Sequence, residues 1–80
     1  MMQKFVFFTT TGCHLCELAE ALLVTNLNPE QHQVDVIDIA YNDQLLGCYG
    51  EKIPVIKNED TSEELFWPFD AEKLVKFVSL

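Results

Sequence analysis

The sequence predicts an α/β fold with the element order β-α-β-α-β-β-α. A strongly apolar strand, Phe5-Val6-Phe7-Phe8, precedes a run of helical period and then a Val- and Ile-rich segment. All three fit within about 40 residues, the size of a βαβ unit with parallel strands. Ile53-Pro54-Val55-Ile56 and Glu64-Leu65-Phe66-Trp67 bracket the turn-like Lys57-Asn58-Glu59-Asp60, which reads as a hairpin. Asp70 then stands as an N-cap before an amphipathic helix from Ala71 to Val78.

Taken in order, the first strand runs from Gln3 to Thr9, and its unbroken apolarity after Lys4 suits a strand buried on both faces. After Gly12, the residues Leu15, Leu18, Ala19, Leu22 and Leu23 recur at helical spacing, and Asn26 to Pro29 stops the helix. Gln33 to Ile39 reads as the second strand, joined to the first by a right-handed crossover. A short helix from Asn42 to Cys48 is expected to pack through Ile39, Leu45 and Leu46 and to end at a left-handed Gly50. Proline near the start of Ile53–Ile56 is tolerated at a strand edge but not in a central ladder. In the last helix, Leu74, Val75 and Val78 are expected on one buried face, and Trp67 and the phenylalanines are expected in the core.

Eighty residues without repeats or linkers form a single expected domain over residues 1–80. The net charge is −8, from 13 acidic residues against five lysines and no arginine. Nucleic acid and anionic membranes, which select clustered cations, are therefore not expected partners. The acidity reads as a solvated surface, with an acidic face that selects a basic protein as the sharper alternative. Three cysteines are too few for a disulfide scaffold and suit a reducing compartment. The apolar run after Lys4 is too short for a signal peptide, and no segment approaches the ~20 apolar residues that span a bilayer. A cytoplasmic, monomeric chain is the expectation.

The chemistry concentrates at Cys13-His14-Leu15-Cys16, where the first strand passes through Thr9-Thr10-Thr11-Gly12 into a helix. A cysteine at a helix start meets unsatisfied N–H groups and the positive end of the macrodipole, both of which favour thiolate. A second thiol two residues further on can resolve a mixed disulfide. A C-x-x-C beside a βαβ unit reads as a thioredoxin-like redox motif. A zinc site is not expected, because a second C-x-x-C or a His pair is missing. His14 is read either as tuning the dithiol or as a solvated, permissive residue. Cys48 is read as a packed or half-exposed small hydrophobe. Asp38 is read as hydrogen-bonded at a strand end, with a buried proton-transfer acid as the alternative.

Gly12-Cys13-His14-Leu15-Cys16 followed at a distance by Tyr49-Gly50-Glu51-Lys52-Ile53-Pro54-Val55, in this element order, resembles the glutaredoxin branch of the thioredoxin superfamily. The similarity is greatest to short glutaredoxin-like proteins and covers essentially the whole chain. The resemblance implies a four-stranded mixed sheet flanked by helices, Cys13 as nucleophile and Cys16 as resolving thiol. It also implies a cis peptide before Pro54 and a substrate-binding neighbourhood of Gly12, His14, Ile53 and Pro54. In that arrangement the Ile53 backbone is expected to pair with an extended ligand in β fashion. The chain departs from the family where Trp67-Pro68-Phe69-Asp70 replaces a Gly-Gly turn, and no arginine is available for the carboxylates of glutathione.

The reading favours an enzyme: a dithiol–disulfide oxidoreductase acting on protein disulfides, with a disulfide-bearing protein and a thiol reductant as partners and no bound cofactor. Glutathione is doubtful as the thiol co-substrate. The alternative is a binding module that keeps the fold and uses the Ile53–Pro54 groove without turnover. Iron–sulfur ligation through Cys13 with glutathione meets the same lack of cations.

Overall fold

The computed structural model describes residues 2–79. Its elements are β1 (Gln3–Thr9), α1 (His14–Asn26), β2 (His32–Asp38), a one-turn 3₁₀ helix (Ile39–Tyr41), α2 (Asp43–Tyr49), β3 (Val55–Asn58), β4 (Glu64–Phe66) and α3 (Ala71–Val78). The strands form one mixed sheet in the order β2-β1-β3-β4. β1 is parallel to β2 and antiparallel to β3, and β3 and β4 form the antiparallel hairpin. This is the thioredoxin-like architecture, with the expected element order.

The central position of β1 explains its composition. Phe5 and Phe7 point into a cluster with Ala19 and Leu23 of α1 and Leu74, Phe77 and Val78 of α3. Val6 and Phe8 point the other way, to Ile39, Val55 and the flanking Leu45 and Tyr49. Alternate residues thus serve two cores, so a polar residue has no place between Phe5 and Phe8.

Periodicity identified the helices but not always the stripe that docks. The buried residues of α1 are Cys16, Ala19 and Leu23, while Leu15 and Leu18 remain exposed at 45% and 46%. In α3 the buried residues are Leu74, Phe77 and Val78, and Val75 faces solvent. In α2, Leu45 packs against the second core and Leu46 is exposed. Phe66 is also exposed, unlike Phe5, Phe7, Phe8, Phe69 and Phe77. Each helix meets the sheet along one narrow line, and an apolar row beside that line is left outside.

Local hydrogen bonds set the element ends. β2 stops at Asp38, one residue before the expected end, because the Asp38 carboxylate accepts the Ala40 N–H at 2.9 Å and caps the 3₁₀ turn. The Asn42 Oδ1 caps α2 by accepting from Gln44 and Leu45. Gly50 is right-handed, at φ −52°, and not left-handed as expected. Glycine is needed there for space: a Cβ would stand 2.5 Å from the Leu46 carbonyl oxygen. β3 begins at Val55 and not at Ile53, because the Ile53 N–H is donated to the Tyr49 carbonyl at 3.0 Å and Pro54 has no N–H. Asp70 caps α3 as expected, accepting the Lys73 N–H at 2.8 Å. Among the described residues, no helix is long and apolar enough to cross a membrane.

Tyr49 couples α2 to the hairpin. Its ring stacks on Phe8 at 4.3 Å and its hydroxyl donates to the Glu64 carboxylate. That hydrogen bond, then burial and the Glu64 charge, push the phenol up to about 12. A folded-state value above the unfolded one stabilises the neutral phenol. The contribution is complete below pH ~10 and is lost as pH rises toward the folded value. In a Tyr41→Phe variant Tyr49 is the only tyrosine left. Its phenolate absorbance is then expected to rise with a midpoint near 12. A midpoint near an ordinary ~10 would show that the Glu64 contact does not persist in solution.

Candidate functional site

The site forms where the C-terminal ends of the parallel strands β1 and β2 lie side by side, Thr9 opposite Asp38. In open α/β sheets this end is where loops converge. The loop after β1 turns at Gly12, whose φ of +82° places it in the left-handed region. No atom lies within 4 Å of a Cβ built there, so the constraint on Gly12 is backbone conformation and not space. The turn delivers Cys13 as the N-cap of α1, with an extended backbone at φ −87° and ψ 104°.

The Cys13 Sγ accepts the Cys16 N–H at 3.1 Å, and the Cys13 carbonyl accepts the Glu17 N–H at 3.2 Å. Sulfur therefore occupies the position that a serine or aspartate oxygen takes in an ordinary N-cap. Cys13 and Cys16 are joined as a disulfide, their Cα atoms 5.2 Å apart. Cys16 is 2% exposed, whereas Cys13 is half-buried, so the pair presents one sulfur outward and one inward.

Two concavities are lined by residues of the N-terminal part of α1. One is lined by Thr9–Cys13, Cys16, Glu17, Glu20, Val36 and Asp38. The other is lined by Leu15, Glu51, Lys52, Ile53, Phe66 and Trp67. Gly12, Cys13 and Cys16 thus share the first, and Ile53 lies in the second. The Ile53–Pro54 peptide is cis, Pro54 is buried, and its carbonyl accepts the Trp67 N–H at 3.2 Å. The Ile53 N–H is already used by Tyr49, which corrects the expectation that both backbone groups of Ile53 wait for a ligand. The α2 C-terminus has orphan carbonyls, and Tyr49 satisfies its own with the Lys52 and Ile53 N–H groups.

The His14 side chain is 81% exposed and lies 3.9 Å from Glu17. Cys48 is exposed on α2 rather than packed, a free thiol outside the lining of both concavities. Trp67-Pro68-Phe69 packs where a Gly-Gly turn is absent: Phe69 is buried, and Trp67 meets its ring edge-on at 5.1 Å. The Trp67–Pro68 peptide is also cis.

Asp38 resolves in favour of the strand-end reading. Its Oδ1 accepts the Thr10 hydroxyl at 2.9 Å, and its Oδ2 accepts that of Thr11 at 3.4 Å. The Ala40 N–H, then the Thr10 hydroxyl, hold its pKa below the ordinary aspartate value. Residue reading missed Lys52, whose Nζ lies 5.9 Å from the Phe66 ring centroid in the second concavity. Its adjacency to Ile53-Pro54 was the available signal.

The glutaredoxin-like domain family (DUF836) matches the chain over residues 4–79. The chain belongs to this family. Solved structures of similar fold extend the comparison. The X-ray structure of protein XcR50 from X. campestris is 27% identical, with a TM-score of 0.82 over 94% of this chain and 95% of that one. Protein Ne2328 from Nitrosomonas europaea, solved by NMR, is 27% identical, with a TM-score of 0.78 over 96% of this chain and 92% of that one. A malarial protein at 14% identity shares the fold, with a TM-score of 0.66. No curated protein matches the chain. A glutaredoxin-like domain with a Cys13–Cys16 pair at disulfide distance is consistent with redox function.

Proposed function

We propose that the protein is a small thiol–disulfide oxidoreductase that reduces protein disulfides through Cys13 and Cys16. The observation that carries this reading is the helix-capping Cys13 sulfur, half-exposed, hydrogen-bonded to the Cys16 N–H and bonded to the buried Cys16. In the dithiol form that N–H and the first turn of α1 would stabilise a Cys13 thiolate. The thiolate attacks one sulfur of a substrate disulfide, and the other sulfur leaves as a thiolate and takes a proton. Cys16 gives up its proton and attacks Cys13 in the mixed disulfide, releasing the second substrate thiol. The substrate thereby gains two electrons and two protons, and the protein ends as the Cys13–Cys16 disulfide. A dithiol or two monothiols supply two electrons to reset it, and no bound cofactor enters.

A reducing, cytoplasmic compartment suits this cycle and keeps Cys48 a free thiol. Equilibration in thiol–disulfide buffers of graded potential, with mass-spectrometric counting of free thiols, tests the reading. The expected result is reversible two-electron conversion of Cys13 and Cys16 together, with catalytic reduction of a disulfide-bonded protein. A pair that cycles without turnover would instead fit a binding module.

Glutathione is expected to be the poorer substrate. Its two carboxylates would approach a concavity lined by Glu17, Glu20 and Asp38. Like-charge juxtaposition of this kind is expected to slow reduction of a glutathione mixed disulfide by at least about tenfold relative to a protein disulfide. Equal kcat/KM values for the two substrates would refute this.

A further inference from the structure

We infer that Asp38 is the positioning residue for Cys13, holding the cysteine loop to the end of β2 through Thr10. This deepens the oxidoreductase reading and rests on it for its functional meaning. Asp38 is fixed to its own turn by the Ala40 N–H at 2.9 Å. Its Oδ1 also accepts the Thr10 hydroxyl at 2.9 Å. The Thr10 carbonyl in turn accepts the Cys13 N–H at 3.4 Å. Cys13 completes the chain by accepting the Cys16 N–H on Sγ. A continuous line of hydrogen bonds therefore joins the edge strand to the outward sulfur.

Beside this line, the loop has the longer contact of the Thr11 hydroxyl to Asp38 Oδ2 at 3.4 Å. Thr11 and Gly12 are exposed and Gly12 is left-handed, so burial does not fix the path between Thr9 and Cys13. The attacking sulfur needs a defined position over the helix N-terminus, and each loosened torsion lowers the fraction of time it occupies that position. The carboxylate also adds negative charge beside Glu17 and Glu20, which opposes a thiolate. Position and charge thus act in opposite directions, and substitutions separate them.

The test measures the iodoacetamide alkylation rate of Cys13 in the reduced protein by mass spectrometry. Alongside it, the Cys13–Cys16 dithiol–disulfide equilibrium is measured in a dithiol redox buffer. Asp38→Ala and Thr10→Val are each expected to slow Cys13 alkylation about fivefold, the equivalent of one neutral hydrogen bond, and to shift the equilibrium. The double variant is expected to be no slower than Asp38→Ala alone, because Asp38→Ala already removes the Thr10 link. Asp38→Asn, which keeps an acceptor oxygen and loses the charge, is expected to react at the parent rate or faster. If Asp38→Ala does not fold, Thr10→Val carries the same comparison.

A folded Asp38→Ala or Thr10→Val protein with the parent alkylation rate and equilibrium overturns the inference, even if its melting temperature falls. An Asp38→Asn variant as slow as Asp38→Ala also overturns it. Alkylation needs no substrate, so these outcomes stand apart from failure of the oxidoreductase reading, which would appear as absent turnover in the unmodified protein.

Discussion

Replacing Cys16 with serine is expected to convert the protein into a covalent trap. In a Cys48→Ala background, reduced Cys16→Ser should accumulate a mixed disulfide with a protein substrate through Cys13. The adduct would be visible as added mass on the intact chain and would be released by a dithiol. Serine has no thiolate to attack Cys13, so the second exchange cannot occur. Cys13→Ser should form no adduct, because the remaining thiol, Cys16, is 2% exposed, and turnover should fall to background in both variants. Equal adduct from the two variants would reverse or dissolve the assigned roles. The Cys48→Ala background matters because Cys48 is an exposed thiol that reacts on its own account.

The largest stability effect is expected at Phe5, a residue of β1 in the cluster shared with α1 and α3. Phe5 is fully buried, and its ring lies 6.1 Å from that of Phe77. Phe5→Ala is expected to cost about 3–5 kcal/mol, from lost transfer energy and the cavity left behind. A domain of this size has a total stability of about 5–15 kcal/mol, so the variant sits near the unfolding limit at room temperature. Phe66→Ala removes the same atoms from a residue that is 42% exposed. It is expected to cost about 1 kcal/mol or less, as at other solvent-facing positions. Urea unfolding of the two variants under identical conditions decides the matter. Similar midpoints would mean that β1 is not the centre of the core.

How much of this molecule is legible in its residues depends on the range of the interaction that sets each feature. Gln3–Thr9 and Ala71–Val78 are readable to the residue, because an unbroken apolar run and an aspartate N-cap are local signals. The same holds for the cysteine pair: two thiols three positions apart at a strand–helix junction dictate a helix-capping sulfur whatever the rest of the chain does. The hairpin and the element order follow from turn chemistry and segment spacing.

Sequence left other features open because they depend on which surfaces meet. Helical period marks Leu15 and Leu18 as one apolar row of α1, but only docking on the sheet decides that Cys16, Ala19 and Leu23 form the buried line. Proline restricts the start of β3, yet the loss of the Ile53 N–H to Tyr49 comes from the orphan carbonyl at the end of α2. Lys52 acquires Phe66 as a neighbour only once β4 lies beside β3. Asp38 and Thr10 are 28 positions apart, and nothing local to either predicts their hydrogen bond. The parallel crossover brings Asp38 opposite Thr9 and so beside the cysteine loop. Residue types and spacing determined the chemistry this chain carries, whereas the pairing of β1 with β2 decided which carboxylate holds that chemistry in place, because parallel pairing sets distant strand ends side by side.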